Sequence, residues 1–283
     1  MRYGLVLFTS DRGLTPAAAA AAAERHGFDS FYVPEHTHMP IEREAAHPRT
    51  GDTSLPDDRY ARTLDPWVSL AMAAAVTSRI GLGTAVAIPV EHDPIALAKT
   101  IASLDHLSGG RVRLGVGFGW NTDELADHGV PLGRRRTMLR EYLEAMRSLW
   151  SDTEAHYEGE FVNFRPSWAW PKPAQGKSIP IIVGAAGTDK NLAWIVRSAD
   201  GWMTTPGEKD IAESVLRLRA LWSDAGRAGQ PEIVVLDAAP KAEKLDRWRE
   251  LGVTEVLYGI PDKSDAEVHA YLERLAEKLA QRS

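Results

Sequence analysis

The stretch Val33-Pro-Glu-His-Thr-His38 sets a carboxylate, Glu35, beside an imidazole, His36, where a short β-rich run gives way to a loop. Imidazole changes charge close to neutral pH, so it can exchange a proton with a redox ring or a substrate. A carboxylate facing the same way would hold the imidazolium and fix its orientation. His36 is therefore the candidate acid/base residue, with Glu35 beside it at a bound ring. Two other readings of His36-x-His38 stay open on the residues alone: metal ligands, or ordinary polar loop residues. The metal reading needs further histidines and an aspartate at later strand ends. After Gly119 the histidines are His128, His156 and His269, which fall in a loop, a hairpin and the last helix, so no metal is expected.

Glycine supplies the second kind of signal. Arg111-Val-Arg-Leu-Gly-Val-Gly-Phe-Gly-Trp120 carries Gly115, Gly117 and Gly119 at every second position, which clears one face of a strand. Glycines in register mark the close approach of a ligand or of another backbone; the alternative is a tightly packed strand with no ligand. In Gly81-Leu-Gly-Thr-Ala-Val-Ala-Ile-Pro89, small residues up to Ala85 and branched ones from Val86 suit a strand that bulges inward to meet a flat ring. Val183-Gly-Ala-Ala-Gly187 meets a helix beginning near Asp189. The free N–H groups of Gly184, Ala185, Ala186 and Gly187, with the helix dipole, suit a phosphate; a tight strand-to-helix turn is the other reading. Trp120 offers an apolar wall with one N–H donor, and with Trp168, Trp170 and Trp202 it either lines an apolar substrate pocket or packs a core.

The elements that must position these residues alternate. Strands are predicted at 3–8, 30–34, 79–88, 111–117, 179–184, 200–204, 232–237 and 253–258, and helices at 15–26, 66–77, 94–107, 134–150, 189–198, 208–225, 241–251 and 264–281. Thr15-Pro16 and Asp93-Pro94 read as N-caps followed by proline at the first helical position, and Gly27 and Gly109 as C-terminal glycines. The alternation predicts an α/β fold, a single-domain (β/α)8 TIM barrel over 1–283, with its chemistry at the strand C-termini. Two insertions interrupt it. Residues 36–65 form a loop long enough to cover a site, and residues 156–164 read as a hairpin turning at Glu158-Gly-Glu160.

A net charge of -6 gives no nucleic-acid surface, and the basic cluster Arg134-Arg135-Arg136 reads as a solvated helix start. The absence of cysteine excludes disulfides, thiolate metal sites and cysteine nucleophiles, and fits a reducing compartment. The chain enters a strand at Tyr3 without a signal-peptide arrangement, and no apolar run reaches membrane-spanning length, so a cytoplasmic protein is expected.

Several of these segments resemble the luciferase-like flavin and deazaflavin oxidoreductases. The resemblance rests on Asp93 to Arg111, Gly115 to Gly119, Gly119-Trp-Asn121, His128-Gly-Val130, Pro171-Lys-Pro173 and Asp200-Gly-Trp-Met203. It is greatest to the branch that uses coenzyme F-420, an 8-hydroxy-5-deazaflavin. It implies a dimeric barrel that transfers hydride between F-420 and a small organic substrate. It also implies a non-prolyl cis peptide at Ala85–Val86 backing the ring, with Glu35, Gly117, Gly119 and Gly184 to Gly187 around the cofactor. Two alternatives keep the same barrel: an FMNH2-dependent monooxygenase binding FMN, and a non-catalytic flavin-binding protein. Arg43, Arg49, Arg59 and Arg62 would meet the acidic tail of F-420 or form a solvated loop face. Deazaflavin-dependent sugar-phosphate dehydrogenases carry a glutamate where this chain has Trp120, so their acid/base chemistry is not expected here.

Overall fold

The computed structural model describes residues 1–176, 179–237 and 239–280. Helix starts follow the local rules. Thr15 caps α1 (Pro16–Arg25) by accepting the Ala18 N–H, and Asp65 caps α2 (Pro66–Val76) through the Val68 N–H. Asp93 caps α3 (Pro94–Ser108) through the amides of Ile95 and Ala96. Each helix has proline in its first turn, where the missing N–H costs nothing. Gly109, at φ 72°, closes α3 in the left-handed conformation that glycine adopts without a Cβ clash.

Strands β1 (Arg2–Val6), β2 (Ser30–Val33), β3 (Gly81–Thr84) and β4 (Val112–Gly117) continue, after an excursion, into β7 (Ile181–Gly184), β8 (Gly201–Met203), β9 (Glu232–Asp237) and β10 (Glu255–Gly259). All pair in parallel, and β1 closes on β10, giving the expected eight-stranded barrel. The excursion holds a short helix α4 (Thr122–Asp127), helix α5 (Arg135–Ser151) and the antiparallel pair β5 (Ala155–Glu158) and β6 (Asn163–Ser167). The outer layer is completed by α6 (Asp189–Ser198), α7 (Ile211–Asp224), α8 (Ala242–Glu250) and α9 (Asp265–Ala280). Residue 281, the expected end of the last helix, lies outside the described residues.

Several boundaries differ from expectation, three of them for a clear local reason. Strand β3 stops at Thr84, well short of residue 88, because Gly83 pairs with Arg113 but the next bridge joins Ala87 to Val116. Four steps on one chain oppose three on the other, so the ladder breaks into the expected bulge. Helix α7 starts at Ile211 because Glu208 turns back toward Gly187. The hairpin turns later than expected, through Gly159 to Val162. Helix α4, placed in a loop by the sequence reading, is capped by Asn121, whose side chain accepts the Glu124 N–H.

The N-terminal end of the barrel is sealed by a buried polar network. Glu255 bonds Ser30 and Tyr32, and Arg113 reaches Tyr32, Glu232 and Glu255. The C-terminal end is left for the site. Among the described residues, no helix is long and apolar enough to cross a membrane, and no three histidines or carboxylates gather to hold a metal ion.

Candidate active site

His36 stands just beyond the end of β2, and its carboxylate partner is Glu124 rather than Glu35. His36 Nδ1 lies 2.8 Å from Glu124 Oε2, and Glu124 Oε1 accepts the Thr37 N–H at 2.8 Å. Burial pushes the Glu124 carboxyl up, but the bonds from His36 and from the Thr37 amide outweigh it and hold it below its usual range. An ionised carboxylate only accepts, so neutral His36 carries its proton on Nδ1 and leaves Nε2 as the free lone pair.

Glu35, the expected neighbour, faces elsewhere because consecutive side chains leave an extended backbone on opposite sides. It is buried, accepts the Ile88 N–H at 2.5 Å and meets His92 Nε2 at 2.7 Å. Burial works against a charged His92, yet Glu35 raises its pKa. Glu35 thus ties the end of β2 to the segment after β3.

The 36–65 loop folds over His36. His47 and Tyr60, neither singled out in the sequence, complete a cluster of rings with Trp120. Trp120 meets His36 edge-on at 5.7 Å and His47 at 4.7 Å, while Tyr60 lies 5.5 Å from His36 and 4.9 Å from His47. Phe8, after β1, packs on Tyr60 at 4.6 Å. Three of the loop arginines are committed within the protein. Arg43 donates to the Pro40 and Thr53 carbonyls, Arg59 grips Asp57, and Arg62 pairs with Asp11.

The Ala85–Val86 peptide is cis. The glycines opposite it are filled from within, which corrects the reading of Gly117 and Gly119 as open clearance. A Cβ on Gly117 would lie 2.7 Å from Val86 Cγ2, and one on Gly184 would lie 2.6 Å from Val86 Cγ1. The Thr84 carbonyl takes the space beside Gly115. Gly119, at φ 72°, turns the chain over Leu125. Of the alternating glycines, Gly115 and Gly117 therefore admit the bulge of the neighbouring strand.

In the β7–α6 loop, the Ala185 N–H goes to the Met203 carbonyl and the Ala186 carbonyl takes the Thr188 N–H. The Gly187 N–H donates to Glu208 Oε1 at 3.2 Å, so this amide already holds an anionic oxygen. Arg136 approaches the same loop. It stacks on Phe118 at 4.2 Å and bonds Asn191 Oδ1, while its buried Nη1 has no partner among the described residues. Arg136 is thus only partly solvated, unlike the solvated helix start expected of its cluster.

Trp202 does not line a pocket. It is 0% exposed and donates Nε1–H to the Ala185 carbonyl at 2.7 Å, bracing that loop from below. Trp168 borders a hollow outside the barrel, between α3, α5 and β6, and Trp170 lies on the surface with Lys172 over its ring. Sequence reasoning missed Glu124, His47 and Tyr60. A signal existed only for Glu124, in the spacing Asn121-x-x-Glu124 that opens capped helices.

The chain and its barrel have relatives. The pattern of the luciferase-like monooxygenase family matches residues 15–282, and the chain belongs to that family. An uncharacterized protein of Mycobacterium tuberculosis is 71% identical over 280 residues, 99% of each chain. An F420-dependent glucose-6-phosphate dehydrogenase of Nakamurella multipartita is 30% identical over 278 residues, covering 93% of this chain and 75% of its own. A monooxygenase of Streptomyces bottropensis superposes with a TM-score of 0.78 at 21% identity over 99% of each chain, a likeness of fold.

Proposed function

We propose that this chain is an oxidoreductase that transfers hydride between coenzyme F-420 and a small organic substrate at the C-terminal mouth of the barrel. The observation that carries the reading is the His36–Glu124 pair, set among Trp120, His47 and Tyr60 at the same end of the barrel as the Ala85–Val86 bulge. The F420-dependent relative supports the choice of cofactor.

The residues present fit a flat, anionic group. Ala85 and Val86 would back its ring, Glu35 would keep that segment anchored to β2, and Gly117 and Gly184 would let the bulge form. Arg136, whose buried Nη1 has no partner among the described residues, would take its phosphate, joined by the Gly187 amide once the phosphate displaces the Glu208 carboxylate from it. When bound, F-420 supplies or accepts hydride as a nicotinamide does. His36 then handles the proton at Nε2, Glu124 holds the ring in that tautomer, and Trp120 keeps water from the reacting face.

We further propose a cytoplasmic homodimer. Val68, Met72 and Val76 of α2 recur every four residues on one face and are 61%, 49% and 53% exposed. Ile95 and Leu107 on α3 are exposed as well.

Titration of the purified protein with F-420 and with FMN, followed by fluorescence, tests the cofactor. F-420 is expected to bind more tightly. Equal affinity, or binding of FMN alone, favours the FMNH2-dependent monooxygenase; cofactor binding without turnover over a broad substrate panel favours the non-catalytic flavin-binding protein.

A further inference from the structure

We propose that Tyr60, oriented by His47, is the substrate-binding hydrogen-bond donor of this site, and that it takes the oxygen of a planar carbonyl compound. The inference rests on the barrel-mouth site described above and extends it to the class of substrate. It begins with a proton count. His47 Nδ1 lies 3.1 Å from the Arg49 backbone N–H, which can only donate, so Nδ1 carries no proton. Burial of His47, with the charges of Arg49 and Arg43, lowers its pKa, in keeping with an unprotonated Nδ1. The one remaining ring proton must sit on Nε2, 3.0 Å from the Tyr60 hydroxyl. His47 therefore donates and Tyr60 accepts, which leaves the phenolic proton of Tyr60 unspent on any described residue.

That proton stays in place. Burial and the nearby charge of Asp57 raise the Tyr60 pKa, against the opposing pull of Arg49 and Arg59. The hydroxyl is accordingly a neutral donor with a fixed acceptor side, the arrangement that recognises a carbonyl oxygen or an alkoxide forming from it. Its surroundings define the rest of the ligand. Phe8, His36, His47 and Trp120 are the rings around Tyr60, and edges and faces of rings favour a flat apolar body.

4-Dimethylaminoacetophenone is a suitable probe: it is planar and uncharged, and its absorption band moves to longer wavelength when its carbonyl accepts a hydrogen bond. Wild-type protein is expected to bind it with a red shift. Tyr60→Phe should keep its fold by circular dichroism, bind roughly three- to ten-fold more weakly and lose the shift. His47→Leu should lose the shift as well, whereas His47→Gln, which keeps a donor near the Nε2 position, should retain part of it. An undiminished shift in folded Tyr60→Phe, or no binding by wild type, overturns the proposal. F-420 titration is read separately by the cofactor's own fluorescence. Failure there with the ketone shift intact removes the hydride-transfer reading and leaves Tyr60 as the carbonyl donor; the converse removes Tyr60 and leaves the cofactor assignment.

Discussion

His36 is oriented by a carboxylate 88 residues away in the chain, and its behaviour depends on that pairing. His36→Ala should lower turnover by about 10²-fold, the lower range for a lost proton-transfer group, while F-420 affinity changes far less. Steady-state kinetics beside a cofactor titration separates the two effects. Glu124→Gln should disturb the same ring from outside. An amide can donate to Nδ1, so 15N NMR of His36 is expected to show the proton moved from Nδ1 to Nε2. An unmoved proton would mean that Glu124 is only a structural partner. Glu91, beside His92, makes a different prediction. It is buried, its Oε2 has no partner among the described residues, and burial with the charges of Glu124 and Glu35 pushes its pKa up to about 9. The folded state therefore keeps a proton that the unfolded chain releases above about 4.5, and stability falls as pH rises between those values. Glu91→Gln removes that dependence. It should stabilise the protein at pH 8, on the order of 2 kcal/mol, and change little at pH 4. Thermal melts at the two pH values provide the check.

At the scale of elements, the β3 bulge and the glycines of β4 and β7 form one packed unit around Val86. Gly117→Ala places a methyl against Val86 Cγ2 and should cost about 1–3 kcal/mol, as overpacking of a tight core does. Val86→Ala makes room for that methyl. The double variant should lose less than the two single changes together, a coupling that denaturant titrations of all four proteins can measure. Purely additive losses would separate the glycine from the bulge. The elements also differ in how far they were legible. Proline after Thr15 and Asp93 marked two helix starts because capping is a property of four consecutive residues. The end of β3 was misread because β-branched residues recur up to residue 88, at Ile80, Thr84, Val86 and Ile88, and only the register against β4 shows where pairing stops. Helix α4 was missed because six residues carry too little periodicity to stand out from a loop.

At the scale of the whole molecule, the stripe Val68, Met72 and Val76 predicts association of two copies through α2. Sedimentation of the wild type at micromolar concentration should give a dimer, and Met72→Lys, which sets a charge in the middle of the stripe, should shift it toward monomer. A monomeric wild type would sink this expectation and leave the barrel and its site untouched.

The sequence by itself determined the barrel, because eight alternations of strand and helix are written in local periodicity, caps and turns. It also placed His36, Trp120 and the β7–α6 loop at the C-terminal end of the barrel, since a (β/α)8 topology leaves few places for them. Tertiary structure alone decided the partners. Glu124 in place of Glu35, Val86 in the gap beside Gly117, Trp202 as a buried brace, and His47 with Tyr60 over the site are all contacts between residues far apart in the chain. Side-chain direction at a strand end and the path of a thirty-residue loop depend on what they pack against, and local sequence carries no record of that.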